Sequence, residues 1–274
     1  EDLPLNTQGR WIVDRNGRRI KWACVNWAGG AQEDGVAGGL QHQKASRIAH
    51  LFAKQGFNCV RVPWSVEMVM RPHRINNVSL LAANQELRGS STLEILDHVV
   101  RACELAGLMI IMDNHMSDGD WCCSTTDENG LWYNDRWSEA DWIESHCRLA
   151  VRFIGHPFVV AAELRNELRP AIVNGTRLIP SWGGPTVTDW RAAALRAANA
   201  ILGVRPTGYL IAVDSLDYST NFTGVHSMPI ELPGRLIYST HDYSWSQHVH
   251  SESELHFLLN ASWGYLSEEW RPYV

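Results

Sequence analysis

The stretch "VVAAELRNELRP", residues 159–170, opens with four apolar positions and then sets four charged side chains into the next seven. A short, wholly apolar run bounded by polar residues reads as a strand buried on both faces. Charged side chains resist such a core, so the polar cluster marks where the strand ends. In proteins of alternating strands and helices, ligands and chemistry gather at the carboxyl ends of the strands. Asn166 and Glu167 are therefore the first place to look for a site.

The same order recurs on both sides. "KWACVNW", "NCVRVPW" and "LMIIMDNH" precede it as strands, and "YLIAVDS" and "RLIYSTHDY" follow. Between them lie the amphipathic segments "QKASRIAHLFAKQGF", "STLEILDHVVRACELAG", "SEADWIESHCRLAVRFIG" and "TDWRAAALRAANAILG". Ser/Thr before the second segment and glycines after the first two mark helix ends, and "SESELHFLLNASWGYL" adds a last helix. Near the front, "WIVDRNGRRIKW" alternates about Asn16-Gly17 and predicts a hairpin over about residues 10–21. Six apolar strands alternating with helices predict one α/β domain over residues 1–274, its parallel strands covered by helices. A (β/α)8 TIM barrel and an open doubly wound sheet both satisfy that pattern. No strand is followed by a phosphate-binding glycine motif, which argues against a nucleotide fold.

Composition narrows the partners. The 274 residues carry 30 acidic and 24 basic side chains, a formal charge of -6 with no basic stripe to track a phosphate backbone, so nucleic acid is not expected. No apolar run reaches about 18 residues, so no membrane span is expected. Four Asn-X-Ser/Thr acceptors, at Asn77, Asn174, Asn221 and Asn260, predict a glycosylated, secreted protein. Of six cysteines, Cys24 and Cys59 lie in strand-like runs and read as small buried thiols. Cys122, Cys123 and Cys147 lie in or beside a loop and read as the better disulfide candidates, and Cys103 completes the set. Thirteen tryptophans are many for this length. Half fit a core; Trp121, Trp132, Trp137 and Trp182, in long loops, fit stacking on sugar faces.

If the strands are parallel neighbours, Arg61, His115, Asn166, Glu167, His241 and Tyr243 converge on one cleft. Hydrolysis of a glycosidic bond needs a carboxylic acid for the leaving oxygen and a second carboxylate for the anomeric carbon or a water. An amide such as Asn166 suits a sugar hydroxyl because it both donates and accepts. Plainer roles compete: Arg61 paired with Glu67, the histidines as hydrogen-bonded filler, and Glu163 as a buried partner of Arg165 or Arg169. His248, His250 and His256 read as solvent-exposed, and no ligand pair has metal-site spacing.

"ACVNW", "NCVRVPW", "IIMDNH", "GDWCC", "LRNEL" and "STHDY", in this order, resemble glycoside hydrolase family 5, specifically its cellulase-like plant and fungal branch. The resemblance implies a TIM barrel and retaining hydrolysis of β-linked glucans or β-glycosides, without metal or organic cofactor. It casts Glu167 as the general acid/base and Asn166 as the ligand of the hydroxyl beside the anomeric carbon. Arg61 would keep the nucleophile ionised, His115 and His241 would line the subsite at the bond being cut, and Tyr243 would donate a hydrogen bond to the nucleophile. Trp27 or Trp245 would offer a stacking face.

That family's nucleophile is a Glu ending the seventh strand. Here the resemblance reaches only to just before that strand, and Glu268 and Glu269 follow a helix with no apolar strand ahead of them. The expectation is a barrel with about six of its eight strands in this chain. The rest, nucleophile included, would come from a second polypeptide or a further segment. The alternative is a carbohydrate-binding, lectin-like protein on the same fold.

Overall fold

The computed structural model describes residues 2–124, 126–243, 245 and 249–267. The chain begins with three short antiparallel strands, β1 (Asn6–Gln8), β2 (Trp11–Val13) and β3 (Arg19–Ile20). The expected hairpin is β2–β3, and Gly17 takes φ 75 in its turn, a conformation costly for other residues. Then come β4 (Cys24–Asn26), α1 (Ala45–Lys54), β5 (Cys59–Ser65), α2 (Val66–Met70), α3 (Thr92–Leu105), β6 (Met109–Met116), α4 (Glu139–Arg152) and β7 (Val159–Glu163). After a small hairpin, β8 (Ala171–Val173) and β9 (Thr176–Leu178), follow α5 (Trp190–Val204), β10 (Leu210–Asp214), β11 (Leu236–Ser239) and α6 (Glu252–Ser262). Ser91 with Glu94 and Ser138 with Asp141 form reciprocal caps on α3 and α4.

The six strands from "KWACVNW" to "RLIYSTHDY" form one wholly parallel sheet in the order β11-β10-β7-β6-β5-β4. The order is strictly sequential, with no reversal point of the kind a doubly wound sheet carries. Alternation then separates two faces of the sheet. Val60, Val62, Ile110, Met112, Ile211 and Val213 pack into a large core with helix residues such as Ala49, Val99, Leu149 and Ala197. The opposite face starts apolar, with Cys59, Met109, Ile111, Ala161 and Leu210 packed against Leu5, Ile12 and Ile20 of the N-terminal strands. Further along each strand that face turns charged: Arg61, Asp113, Glu163 and Asp214, all at positions of the same parity. The N-terminal hairpin thus plugs one end, and the charges line the other.

Several expectations are corrected. Cys24 and Cys59 are register partners on β4 and β5, with Cα atoms 4.5 Å apart, and form a disulfide rather than two buried thiols. Cys122 and Cys123 form a second disulfide with each other, while Cys147 and Cys103 are free. Trp132, Trp137 and Trp182 are core residues, their indole N–H groups bonded to Glu139, Asp118 and the Met228 carbonyl. Among the described residues no helix is long and apolar enough to cross a membrane. Glu268, Glu269 and His248 lie outside the described residues. His250 and His256 are exposed, as expected.

Candidate active site

The charged layer is a closed network. Arg61 donates from Nε and Nη2 to Glu163 Oε2 and Oε1 at 2.7 and 2.5 Å, and Nη2 also donates to Asn166 Oδ1 at 2.8 Å. Its Nη1 lies 3.0 Å from Asp113 Oδ2, which also accepts from His115 Nδ1 at 2.6 Å. Glu163 is thus the partner of Arg61, not of Arg165 or Arg169, and Glu67 accepts instead from the Gly119 N–H. His241 sits among three carboxylates, with Nδ1 3.0 Å from Glu167 Oε1 and Nε2 3.5 and 3.7 Å from Asp214 and Glu163.

Charge state follows from these contacts. Burial opposes the imidazolium of His241, but the Asp214 charge and the bonds to Glu163 and Glu167 overcome it and push its pKa up to about 11. Burial alone would raise Glu163, yet the Arg61 guanidinium holds its carboxyl well below the usual range. Asp214 goes the other way: burial and then the neighbouring Glu163 charge raise it well above an ordinary aspartate, and among the described residues its Oδ1 has no hydrogen-bond partner. Glu167, half-desolvated, is nevertheless lowered, because His241 bonds to it.

Arg165 and Arg169 have a different task. Arg165, fully buried, donates to Asn114 Oδ1 and to the Asn129 carbonyl. Arg169, also buried, donates to the carbonyls of Ser124 and Glu167 and to Asp127 Oδ2. Together they clamp the loop after β6 over the end of β7. That loop carries Cys122 and Cys123, whose Sγ atoms each lie 3.7 Å from Asn166 Nδ2.

Two adjoining cavities open at this end of the sheet, of about 660 and 380 Å³. Both are lined by Cys123, Glu167, His241 and Tyr243. The smaller adds Asn26, Arg61, His115 and Asn166; the larger adds Asp217, Tyr218, Asn221 and Trp245. Glu167 therefore stands at the junction of a polar chamber and a broader, more apolar one. Tyr243 and Trp245 stack at 4.4 Å, and Trp245 is 74% exposed. Trp27 does not reach the cleft: it is 3% exposed, packs on Phe52 and donates to the Gly38 carbonyl.

Left-handed backbone clusters here. Glu167 has φ 46, and Asp217, Tyr218 and Ser219 follow one another at 51, 59 and 63. Such angles are rare for residues with a Cβ and concentrate at functional sites. The turn is held from several sides: Tyr218 N–H donates to the Leu168 carbonyl, His241 N–H to the Ser219 carbonyl, and Ser219 Oγ to the Ser239 carbonyl. Asn221, one of the four glycan acceptors, donates to Asp217 Oδ2 inside this turn, whereas Asn77, Asn174 and Asn260 are exposed.

Two groups have metal-ligand composition: Glu163, Asp214 and His241, and His115, Cys122 and Cys123, each with candidate atoms within 4.8 Å of one another. The first is engaged in ion pairs, and the thiols of the second are joined as a disulfide. Sequence spacing missed both because their members come from different strands and loops. Strand parity places Glu163 below Glu167 as a buried ion-pair partner, and Asp214 ends its strand before Ser215, but neither reading points to Arg61 or His241.

Comparison with known proteins fits this geometry. A glycosyl hydrolase 5 family protein of Chamaecyparis obtusa is 35% identical over 262 residues, 89% of this chain and 44% of its own length. An endoglucanase of Paenibacillus polymyxa is 30% identical over 285 residues, 96% of this chain and 68% of its own. The chain thus spans less than half of the first relative and about two thirds of the second. The solved hyperthermophilic endocellulase of Pyrococcus horikoshii superposes with a TM-score of 0.85 at 24% identity, over 98% of this chain and 79% of that one. The sequential parallel sheet is accordingly the TIM-barrel arrangement, not a doubly wound sheet. With the cellulase model of that family matching residues 13–273, the chain belongs to glycosyl hydrolase family 5.

Proposed function

We propose that this chain carries the acid/base half of a retaining β-glycoside hydrolase that cuts β-linked glucan chains by double displacement. The observation that carries the reading is Glu167 at the junction of the two cavities. A glycosidic oxygen placed there has hydroxyl-binding groups, Asn166, Arg61 and His115, on one side, and the Tyr243–Trp245 stack on the other. Glu167 protonates the leaving oxygen and then deprotonates the water that releases the glycosyl-enzyme intermediate.

The nucleophile is a second carboxylate about 5 to 5.5 Å from Glu167. Glu163 and Asp214 lie beneath the floor, fixed by Arg61 and His241. Asp217 and Asp242 line the cavities but accept from Asn221 and Trp263. We assign the nucleophile to a Glu beyond residue 274, on a second polypeptide or a further segment that pairs beside β11. A like charge at that distance would raise the Glu167 pKa, as an acid that must hold its proton requires. Secretion fits the two disulfides and the four glycan acceptors.

Glu167→Gln is expected to lower kcat on a β-1,4-glucan oligosaccharide by about 10²–10⁴-fold while sugar affinity stays. Unchanged turnover would remove Glu167 from the mechanism. A protein that binds glucan and never turns it over, with a single polypeptide in its native mass, would instead be the lectin-like alternative.

A further inference from the structure

We infer that the Cys122–Cys123 disulfide is a substrate-contacting wall of the cleft, a reducible apolar face for the sugar ring held beside Glu167. The inference rests on the glycosidase reading above.

Place comes first. Cys123 lines both cavities, as Glu167, His241 and Tyr243 do, so it borders the junction where the reacting bond would sit. Both sulfurs lie 3.7 Å from Asn166 Nδ2, while Asn166 Oδ1 is held by Arg61 at 2.8 Å. The amide is thereby fixed in one orientation, carbonyl towards the guanidinium and NH₂ towards the sulfurs. Sulfur is a weak acceptor, so that NH₂ keeps donor strength for a sugar hydroxyl.

Support comes second. Among its described residues the loop that carries the pair has no helix or strand, yet two fully buried arginines hold it. Arg165 bonds the Asn129 carbonyl; Arg169 bonds the Ser124 carbonyl and Asp127; Asn129 Oδ1 receives the N–H groups of Ser117 and Asp118. These bonds hold the Cys122–Cys123 pair in register with Asn166.

Chemistry comes third. Two joined sulfurs present a polarizable surface without a strong donor, suited to the C–H face of a pyranose. A dithiol reductant would exchange with the pair: the S–S bond breaks, each sulfur takes up a proton, and the dithiol leaves as its own disulfide. The freed side chains then rotate independently, the face is lost, and Asn166 loses its fixed neighbour.

The test uses the whole chain with whatever polypeptide accompanies it. KM and kcat on a β-1,4-glucan oligosaccharide, and binding of the same oligosaccharide by tryptophan fluorescence, are measured with and without dithiothreitol. The Cys122→Ser/Cys123→Ser and Cys24→Ser/Cys59→Ser double variants are run alongside. Reduction is expected to raise wild-type KM about five- to tenfold with a smaller change in kcat, about 1–1.4 kcal/mol of binding. The first variant should start at the raised KM and ignore reductant; the second should respond like wild type. Wild-type KM in the Cys122/Cys123 variant, or a reductant response that persists in it, overturns the inference. So does alkylation mass spectrometry showing both cysteines as thiols in the untreated protein. Wild-type protein that neither binds nor cleaves glucan removes the glycosidase reading itself, a result distinct from binding that ignores the disulfide.

Discussion

His241 holds a carboxylate at each ring nitrogen, and this fixes how Glu167 titrates. Its proton stays to about 11, so near neutral pH Glu167 faces a permanent positive charge 3.0 Å away. His241→Asn removes the charge and keeps an amide donor. The Glu167 pKa should rise, and the alkaline limb of the kcat/KM profile, where the acid loses its proton, should move to higher pH. A limb that stays put or moves down would show that the charge is not felt. At this scale the sequence was legible where a polar residue ends an apolar strand, as at Arg61, His115, Glu167 and His241. It misled at Trp27, because a position just past a strand end does not say which way a large ring turns. The pairing of Glu163 and Asp113 with Arg61 was opaque for another reason. Their partner, Arg61, is a hundred or fifty residues away, and only strand register brings them together.

Elements were the most legible level, since parallel strands buried on both faces leave apolar runs that little else in a soluble chain imitates. The hairpin β8–β9 turns on Asn174-Gly175, the same signal as Asn16-Gly17, but its strands of three residues each are too short to show as an apolar run. The staple between β4 and β5 escaped because a disulfide between neighbouring strands depends on register, not on spacing. It closes a loop of 35 residues around α1. Breaking it with Cys24→Ser should cost about 3–4 kcal/mol if loop entropy in the unfolded chain dominates, read from the midpoint of denaturant unfolding. A loss under about 1 kcal/mol would mean that the packing of β4 holds without it.

For the whole molecule the buried network sets a pH window. Free histidine loses its proton near 6.5, whereas His241 keeps it to about 11. Across that interval the folded state holds a proton that the unfolded chain has lost, so this stabilisation is full below 6.5 and drains as pH rises. Glu163 and Glu167, both lowered from 4.5, contribute fully above that value and lose their contribution as pH falls. Urea midpoints should therefore peak between about pH 4.5 and 6.5, and His241→Asn should flatten the alkaline side. A maximum well above neutrality would contradict the charge states assigned to the network.

The left-handed run at Asp217, Tyr218 and Ser219 bears on how this chain can change. Three side-chain-bearing residues in that conformation each cost about 1 kcal/mol or more, and glycine would relieve the cost. Tyr218→Gly should leave the fold as stable or stabilise it by up to about 1 kcal/mol, while stripping a ring from the wall of the larger cavity and weakening glucan binding. Lower stability together with unchanged binding would refute that reading. Selection for thermal hardiness and selection for catalysis would then pull this turn in opposite directions, and a library screened only for heat resistance should drift to glycine there and lose activity as it does.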